Sequence, residues 1–268
     1  MLIVATDRIS AFDVVMANGI PDKGKILNQM SAYWFDLLSD ICPNHLISTD
    51  DRLISEAIGA DRAELRGRTT LGKKATPLPI ECVARAYITG SLLKEYLHDG
   101  ATVHDLNLED GLVDSSKLAQ IIFTPATKAE EGHDQNISFK TAADMVGNET
   151  AELVRAWTIQ LFSRASKHAE SKGLILADTK FEFGETSDGI ILIDEALTPD
   201  SSRYWSADTY SPGRSQPSYD KQFVRDYLES IHFNKQPPGP VLPAEVVAKT
   251  RSKYVEAFER ITGREFKG

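Results

Sequence analysis

The chain has 268 residues, 41% of them hydrophobic and 26% charged, with a formal net charge of −9 at pH 7. This is the composition of an ordinary globular protein with room for a large core, and the length suits two closely packed lobes. The acidic balance excludes a general nucleic-acid or membrane-surface binder, and no run approaches the ~18 apolar residues of a membrane span.

Residues 1–6 read as a buried-type strand with no lead-in, and a polar loop with varied charges follows over 6–13. A helix is predicted over 24–41, where Ile26, Leu27, Met30, Tyr33, Trp34, Leu37, Leu38 and Ile41 keep the 3.6 period and Asp22 stands as cap. Residues 45–76 mix short segments with a basic cluster that reads as solvated surface. A strand is predicted over 78–88, with Glu81, Val83 and Arg85 on one face. Thr89-Gly90-Ser91 then turns into a helix over 92–97, with Ser91 as N-cap and Gly100 after it. A helix N-terminus just after a strand offers free N–H groups to an anion. The polar stretch 122–137 reads as a long loop, and long loops in compact proteins are often functional.

A short helix is expected over 138–147 and a longer one over 149–172, with Leu153, Val154, Trp157, Leu161 and Phe162 inward and Gly173 as C-cap. Two amphipathic helices near 219–231 and 244–261 close the chain, separated by a Pro-rich linker. The pattern is mixed α+β, without regular strand–helix alternation.

The densest chemistry lies over 174–195. Asp178, Lys180 and Glu182 fall on one face of a strand, and Thr179, Phe181 and Phe183 on the other. Glu185 to Gly189 has turn chemistry, so an antiparallel hairpin is predicted. A turn centred near Asp188 sets Glu182 opposite Asp194. Two like charges there repel. A half-buried Asp194 at the end of the apolar run 190–193 is costly unless it is paired or metal-bound. Two acidic oxygen ligands suit Mg²⁺, which completes its shell with water and phosphates. A solvent-facing strand of alternating charges would give the same local pattern.

Other chemistries find no support. Cys42 and Cys82 lack metal spacing and fit a reducing compartment, and the six histidines show no zinc-type pairing. No P-loop, dinucleotide-binding glycine run or nucleophile elbow occurs, so a nucleotide would bind through a carboxylate–metal site with scattered Lys and Arg.

Leu78-Pro-Ile-Glu-Cys-Val-Ala-Arg85-Ala-Tyr-Ile-Thr-Gly-Ser91 and Leu176-Ala-Asp-Thr-Lys-Phe-Glu-Phe-Gly184 closely resemble the two signature segments of the SAICAR synthetase family. The stretches 5–13, 23–29 and 194–203 are similar to it as well, in the same order. The resemblance covers nearly the whole chain, and the end at 260–266 is similar to the longer, yeast-like branch. It implies an α+β fold of two lobes, related to kinase-like and ATP-grasp-like nucleotide-binding architectures, with antiparallel sheets and flanking helices. The implied lobes are 1–86, binding nucleotide, and 87–268, carrying the metal and substrate site.

The resemblance further implies a cytoplasmic, monomeric, ATP-dependent ligase of purine biosynthesis. ATP activates the carboxylate of the carboxyaminoimidazole ribonucleotide CAIR, and the amine of L-aspartate attacks to give SAICAR, ADP and phosphate. By resemblance Lys180 and Asp178 are catalytic. Arg85, Ser91 and Arg203 hold the ribonucleotide, and Asp7, Arg8 and Ser10 lie in a substrate-binding loop. Glu81, Lys128, Glu182 and Asp194 serve the nucleotide, and Glu182 and Asp194 hold Mg²⁺. For Glu81 an ion pair with Arg85 is the other reading. Family members carry a Gly- and Lys-containing hairpin before the strand that begins here at Leu2. Without it an exposed sheet edge and weak ATP binding are expected, so a shortened, poorly active form is one alternative. A small-molecule kinase with a similar nucleotide lobe is another.

Overall fold

The structure, a computed structural model, describes residues 1–128, 135–219 and 221–268. The chain opens with β1 (Leu2–Val4), β2 (Ser10–Ala11), β3 (Val14–Val15), α1 (Lys23–Leu37), β4 (Leu46–Ser48), α2 (Asp51–Ile58) and β5 (Thr69–Gly72). Next come β6 (Thr76–Pro77), β7 (Ile80–Tyr87), α3 (Gly90–Asp99), β8 (Thr102–Val103), β9 (Leu106–Asn107), β10 (Lys117–Phe123) and β11 (Ala126–Thr127). The remainder is α4 (Phe139–Val146), α5 (Asn148–Glu170), β12 (Leu174–Thr186), β13 (Gly189–Ile193), β14 (Ser202–Ser206), α6 (Gln222–Ser230) and α7 (Ala244–Thr262).

A small antiparallel sheet has the order β1-β5-β4. The main sheet of seven strands runs β10-β7-β12-β13, with β11 on β7 and with β6 and β14 on β12. Position 86, where the first lobe is expected to end, lies inside β7. Every residue of β7 is buried, because β10 and β12 flank it and α5 covers it. Along β12 the two-residue period divides the strand as expected. Phe181 and Phe183 are buried in the core, where Phe183 stacks on Trp157, while Lys180 on the other face is exposed. Cys42 and Cys82 are buried free thiols. No helix among the described residues is long and apolar enough to cross a membrane.

Several local expectations need correction. β1 is an edge strand with Leu2 and Val4 exposed, not a buried one, because only β5 pairs with it. Asp22 precedes α1 in a left-handed conformation and makes no cap bond; its carboxylate takes Arg251 of α7 instead. Thr89, not Ser91, holds the N-cap position of α3, since Gly90 already begins the helix. Gly173 comes two residues after the C-cap of α5, Ser171. Leu153 is 39% exposed rather than inward. Parts of the stretch 122–137 pair as β10 and β11, and residues 129–134 of that loop lie outside the described residues.

One buried polar cluster ties the closing helices to the sheet. Asp200 precedes β14 and accepts Lys23 Nζ of α1 at 2.6 Å and the Tyr254 hydroxyl of α7 at 2.5 Å. Lys221 Nζ, just before α6, stands 3.7 Å away. Burial pushes the Asp200 carboxyl up, but Lys221 and Lys23 outweigh it and hold the group below its ordinary 3.8. The stabilisation from its ionised form is therefore fully present above that ordinary value and is lost as pH falls through the lower folded value.

Phe181→Ala should lower the unfolding free energy by about 3–5 kcal/mol, read from denaturant titration, because a fully buried ring leaves a cavity. Asp200→Asn should cost about 3 kcal/mol at pH 7 by leaving Lys23 buried without its counter-charge. The gap between wild type and variant should narrow at pH 3, and a gap that stays constant between those pH values would refute the charge as its cause.

Candidate active site

The charged residues are gathered by sheet register. β12 lies between β7 and β14, and Asp178 is in register with Arg85 on one side and Arg203 on the other. Asp178 Oδ2 accepts Arg85 Nη1 at 3.1 Å and also pairs with Arg203 Nη1. Arg85 is 4% exposed. It donates through Nε to Thr124 Oγ1 at 2.8 Å and through Nη2 to Ser91 Oγ at 3.3 Å. Burial pulls the Arg85 pKa down and Asp178 pulls it part of the way back. Gly90 holds φ +62, and a Cβ there would stand 2.6 Å from Arg203 Nη2. Glycine thus lets the Arg203 guanidinium lie against the start of α3.

Lys180 Nζ stands 2.7 Å from Glu81 Oε1. The alternative reading pairs Glu81 with Arg85, but β7 and β12 run antiparallel with Lys180 opposite Val83, so the long lysine reaches Glu81 diagonally. Arg85 finds its carboxylate in Asp178. Glu81, Arg85, Ser91, Asp178, Lys180 and Arg203 line one open cleft. Asn136, Arg225 and the consecutive residues 199–203 complete its wall. Asn136 Nδ2 donates to Ser91 Oγ at 3.1 Å, which fixes the hydroxyl at the first turn of α3.

A second cleft lies between β1, α1 and the end of β13. Arg8, Lys23, His45, Asp194 and Glu195 line it. Burial pulls the His45 pKa down, which favours the neutral ring. Burial, and then Asp200, push the Glu195 carboxyl up to about 7, although Thr198 Oγ1 donates to it at 2.7 Å. Lys23 borders this cleft while its Nζ pairs with Asp200, which borders the first. The Lys23–Asp200 pair is thus part of the wall between them.

The carboxylate pair departs from expectation in register. The hairpin closes with Thr186 opposite Gly189, so its centre falls between Ser187 and Asp188. That half-residue shift moves each partner by one. Glu182 faces Ile193, not Asp194. Asp194 leaves the strand in a left-handed conformation, φ 61, and is exposed rather than half-buried. Lys128, not a facing acid's cation, engages Glu182 Oε2. Among the described residues no group of three or more His, Cys, Asp or Glu could hold a metal ion.

Asp7 acts on the start of α1. Its Oδ1 accepts Gly24 N at 2.9 Å and stands 3.1 Å from Arg68 Nη1. Arg8 borders the second cleft, and Ser10 lies in β2 opposite Val15. Sequence reasoning missed Lys23, Asn136, Asp200, Arg225 and Tyr254. Lys23 did carry a signal, since it continues the Leu27, Met30, Trp34 stripe of α1 and a lysine on an apolar stripe needs a buried partner. Asn136 and Asp200 sit in loops whose partners lie 45 and 177 positions away, a juxtaposition that no local pattern encodes.

A family model described as SAICAR synthetase matches residues 1–240. A relative from Geobacter metallireducens, named phosphoribosylaminoimidazole-succinocarboxamide synthase, is 54% identical over 265 residues, covering 98% of this chain and 89% of its own. One of the same name from Geobacter sulfurreducens is 52% identical with the same coverage. Among solved structures, SAICAR synthase from Saccharomyces cerevisiae complexed with SAICAR superposes with a TM-score of 0.91 at 43% identity, over 100% of this chain and 90% of that one. With a matching model over most of its length and relatives that share half its residues, this chain belongs to the SAICAR synthetase family.

Proposed function

We propose that this chain joins L-aspartate to the carboxylate of CAIR at the expense of ATP, giving SAICAR, ADP and phosphate. The observation that supports it best is the convergence of Arg85, Arg203 and Ser91 at one end of a cleft whose other residues include Lys180. Guanidinium groups donate two parallel bonds to phosphate, and the start of α3 adds free backbone N–H groups. That end suits the ribonucleotide phosphate, and Asp178 fixes both guanidiniums in place. Lys180, held by Glu81, suits the CAIR carboxylate.

The chemistry divides into two displacements. An oxygen of the CAIR carboxylate attacks the γ-phosphorus of ATP, and ADP leaves, so the carboxylate becomes an acyl phosphate. The aspartate amine then attacks the acyl carbon, the C–O bond to phosphate breaks, and the amine loses a proton as the amide forms. Lys180 offsets negative charge on the carboxylate that the first step brings against a triphosphate. Arg85, Arg203 and Ser91 hold the ribonucleotide still through both steps, which replaces two encounters by one bound geometry.

Glu182 and Asp194 are the residues that would hold Mg²⁺. They do not face each other in the sheet, so each would offer its carboxylate from a separate position, Glu182 half-buried and Asp194 exposed, to an ion that takes the rest of its shell from phosphate and water. When bound, Mg²⁺ supplies charge neutralisation on the ATP phosphates. Lys128 engages Glu182 meanwhile and belongs to the same nucleotide side.

ADP release should require ATP, CAIR and L-aspartate together, each omitted in turn from a coupled assay; release of ADP without aspartate at the full rate would favour a kinase. Lys180→Ala and Glu182→Gln should each lower kcat by about 100-fold or more, with unchanged melting temperature. EDTA should stop turnover and excess Mg²⁺ should restore it.

A further inference from the structure

We propose that Tyr254, on the closing helix α7, is a positioning residue for the ribonucleotide cleft, acting through Asp200. The inference rests on the assignment of that cleft made above. α7 lies beyond residue 240, outside the span that the family model matches. Its buried stripe of Thr250, Tyr254, Ala257, Phe258 and Ile261 explains why the helix packs. It does not explain why the residue at the stripe's centre carries a hydroxyl.

Tyr254 is 0% exposed. Its hydroxyl donates to Asp200 Oδ1 at 2.5 Å, while Lys23 Nζ takes Oδ2 at 2.6 Å and also stands 5.7 Å from the Tyr254 ring centroid. Asp200 sits in a turn closed by Ser201 N donating to Thr198 O at 3.2 Å. The carbonyl of Ser201 accepts Lys180 N at 2.9 Å, which ties the turn to β12 beside the reactive lysine. Ser202 and Arg203 follow directly, and residues 199–203 are one wall of the cleft. The wall is therefore pinned on its inner side by β12 and on its outer side by Tyr254. Asp200 is only partly buried, but its Oδ1 faces a wholly buried hydroxyl, and that donor fixes the carboxylate's orientation. Removing the hydroxyl leaves Oδ1 without that donor, and Asp200 can then follow Lys23 and Lys221 alone. The turn loosens, and Arg203 loses its fixed approach to the phosphate end.

The test uses the full chain and SAICAR as titrant in calorimetry, so it needs no turnover. Tyr254→Phe removes one oxygen and should raise the SAICAR Kd by about tenfold. Phe258→Leu, on the same helix and away from Asp200, should lower the melting temperature and leave the Kd within twofold. Arg203→Ala should weaken SAICAR binding whatever Tyr254 does. If Tyr254→Phe lowers the melting temperature with the Kd unchanged while Arg203→Ala weakens binding, Tyr254 is a packing residue and the proposal fails alone. If neither variant changes the Kd, the cleft assignment fails and the proposal falls with it.

Discussion

The carboxylate of Asp178 is the constraint on which the site depends. It lies in register with an arginine on each neighbouring strand, so one buried anion holds two guanidiniums. Arg85 is almost wholly removed from water, and an unpaired charge at that depth costs several kcal/mol. The pair with Asp178 and the bonds to Thr124 and Ser91 make its burial tolerable. The same pairing fixes the sheet. A slip of β12 by one residue would turn Asp178, Lys180 and Glu182 towards the core and Phe181 and Phe183 towards the cleft. Hydrophobic burial and charge pairing therefore specify the same register, and the register is what assembles the site.

That agreement explains which parts of the molecule could be read from the sequence. Alternation along β12 is a local property, and it correctly divided Phe181 and Phe183 from the charged face. The long amphipathic helices were legible for the same reason, since a 3.6 period over many residues survives uncertainty at its ends. The failures lie where a small geometric choice is amplified or where partners are remote. A turn centre displaced by half a residue exchanged Asp194 for Ile193 opposite Glu182. Asp22 has the chemistry of a cap, but Arg251 of α7, 229 positions away, claims its carboxylate. Ser91 reads as a cap but lies within α3, where its hydroxyl meets Arg85 and Asn136 instead of capping the helix. Asp200 was invisible as a hub because its partners come from α1, the start of α6 and α7. The roles of Glu81 and Lys128 towards a nucleotide came from family resemblance alone, whereas strand alternation and turn spacing had already singled out Glu182 and Asp194 as metal-binding acids.

The cluster around Asp200 differs in kind from the one around Asp178. Asp178 lies within a hydrogen-bonded sheet, so its position follows from backbone register. Asp200 lies in a turn, where no ladder holds it, and its position depends on side chains delivered by three separate helical segments. Lys23 belongs to both clefts, bordering one and pairing across to the other. The fold thus places its least locally determined wall between the two places where anions are expected to bind.

A chain with net charge −9 must still gather anionic ligands. Its overall field opposes them, but exposed charges beyond about 8 Å are largely screened at physiological ionic strength. Within that range the first cleft presents Arg85, Arg203, Arg225 and Lys180, and the acids beside them are already engaged. The engaged acids serve the empty protein by keeping these cations in position against their mutual repulsion, so little side-chain freedom remains to be lost when ligand arrives. They also limit affinity, since a ligand phosphate or carboxylate must share Arg203 with Asp178 and Lys180 with Glu81. Sharing is least unfavourable for Arg203, whose planar guanidinium carries five N–H donors in a fixed fork. Lys180 is a point charge with rotatable donors, so a carboxylate that approaches it draws it partly away from Glu81. The two cations of the cleft are therefore suited to different tasks: Arg203 to a group that must stay bound, and Lys180 to a group whose charge changes during the reaction.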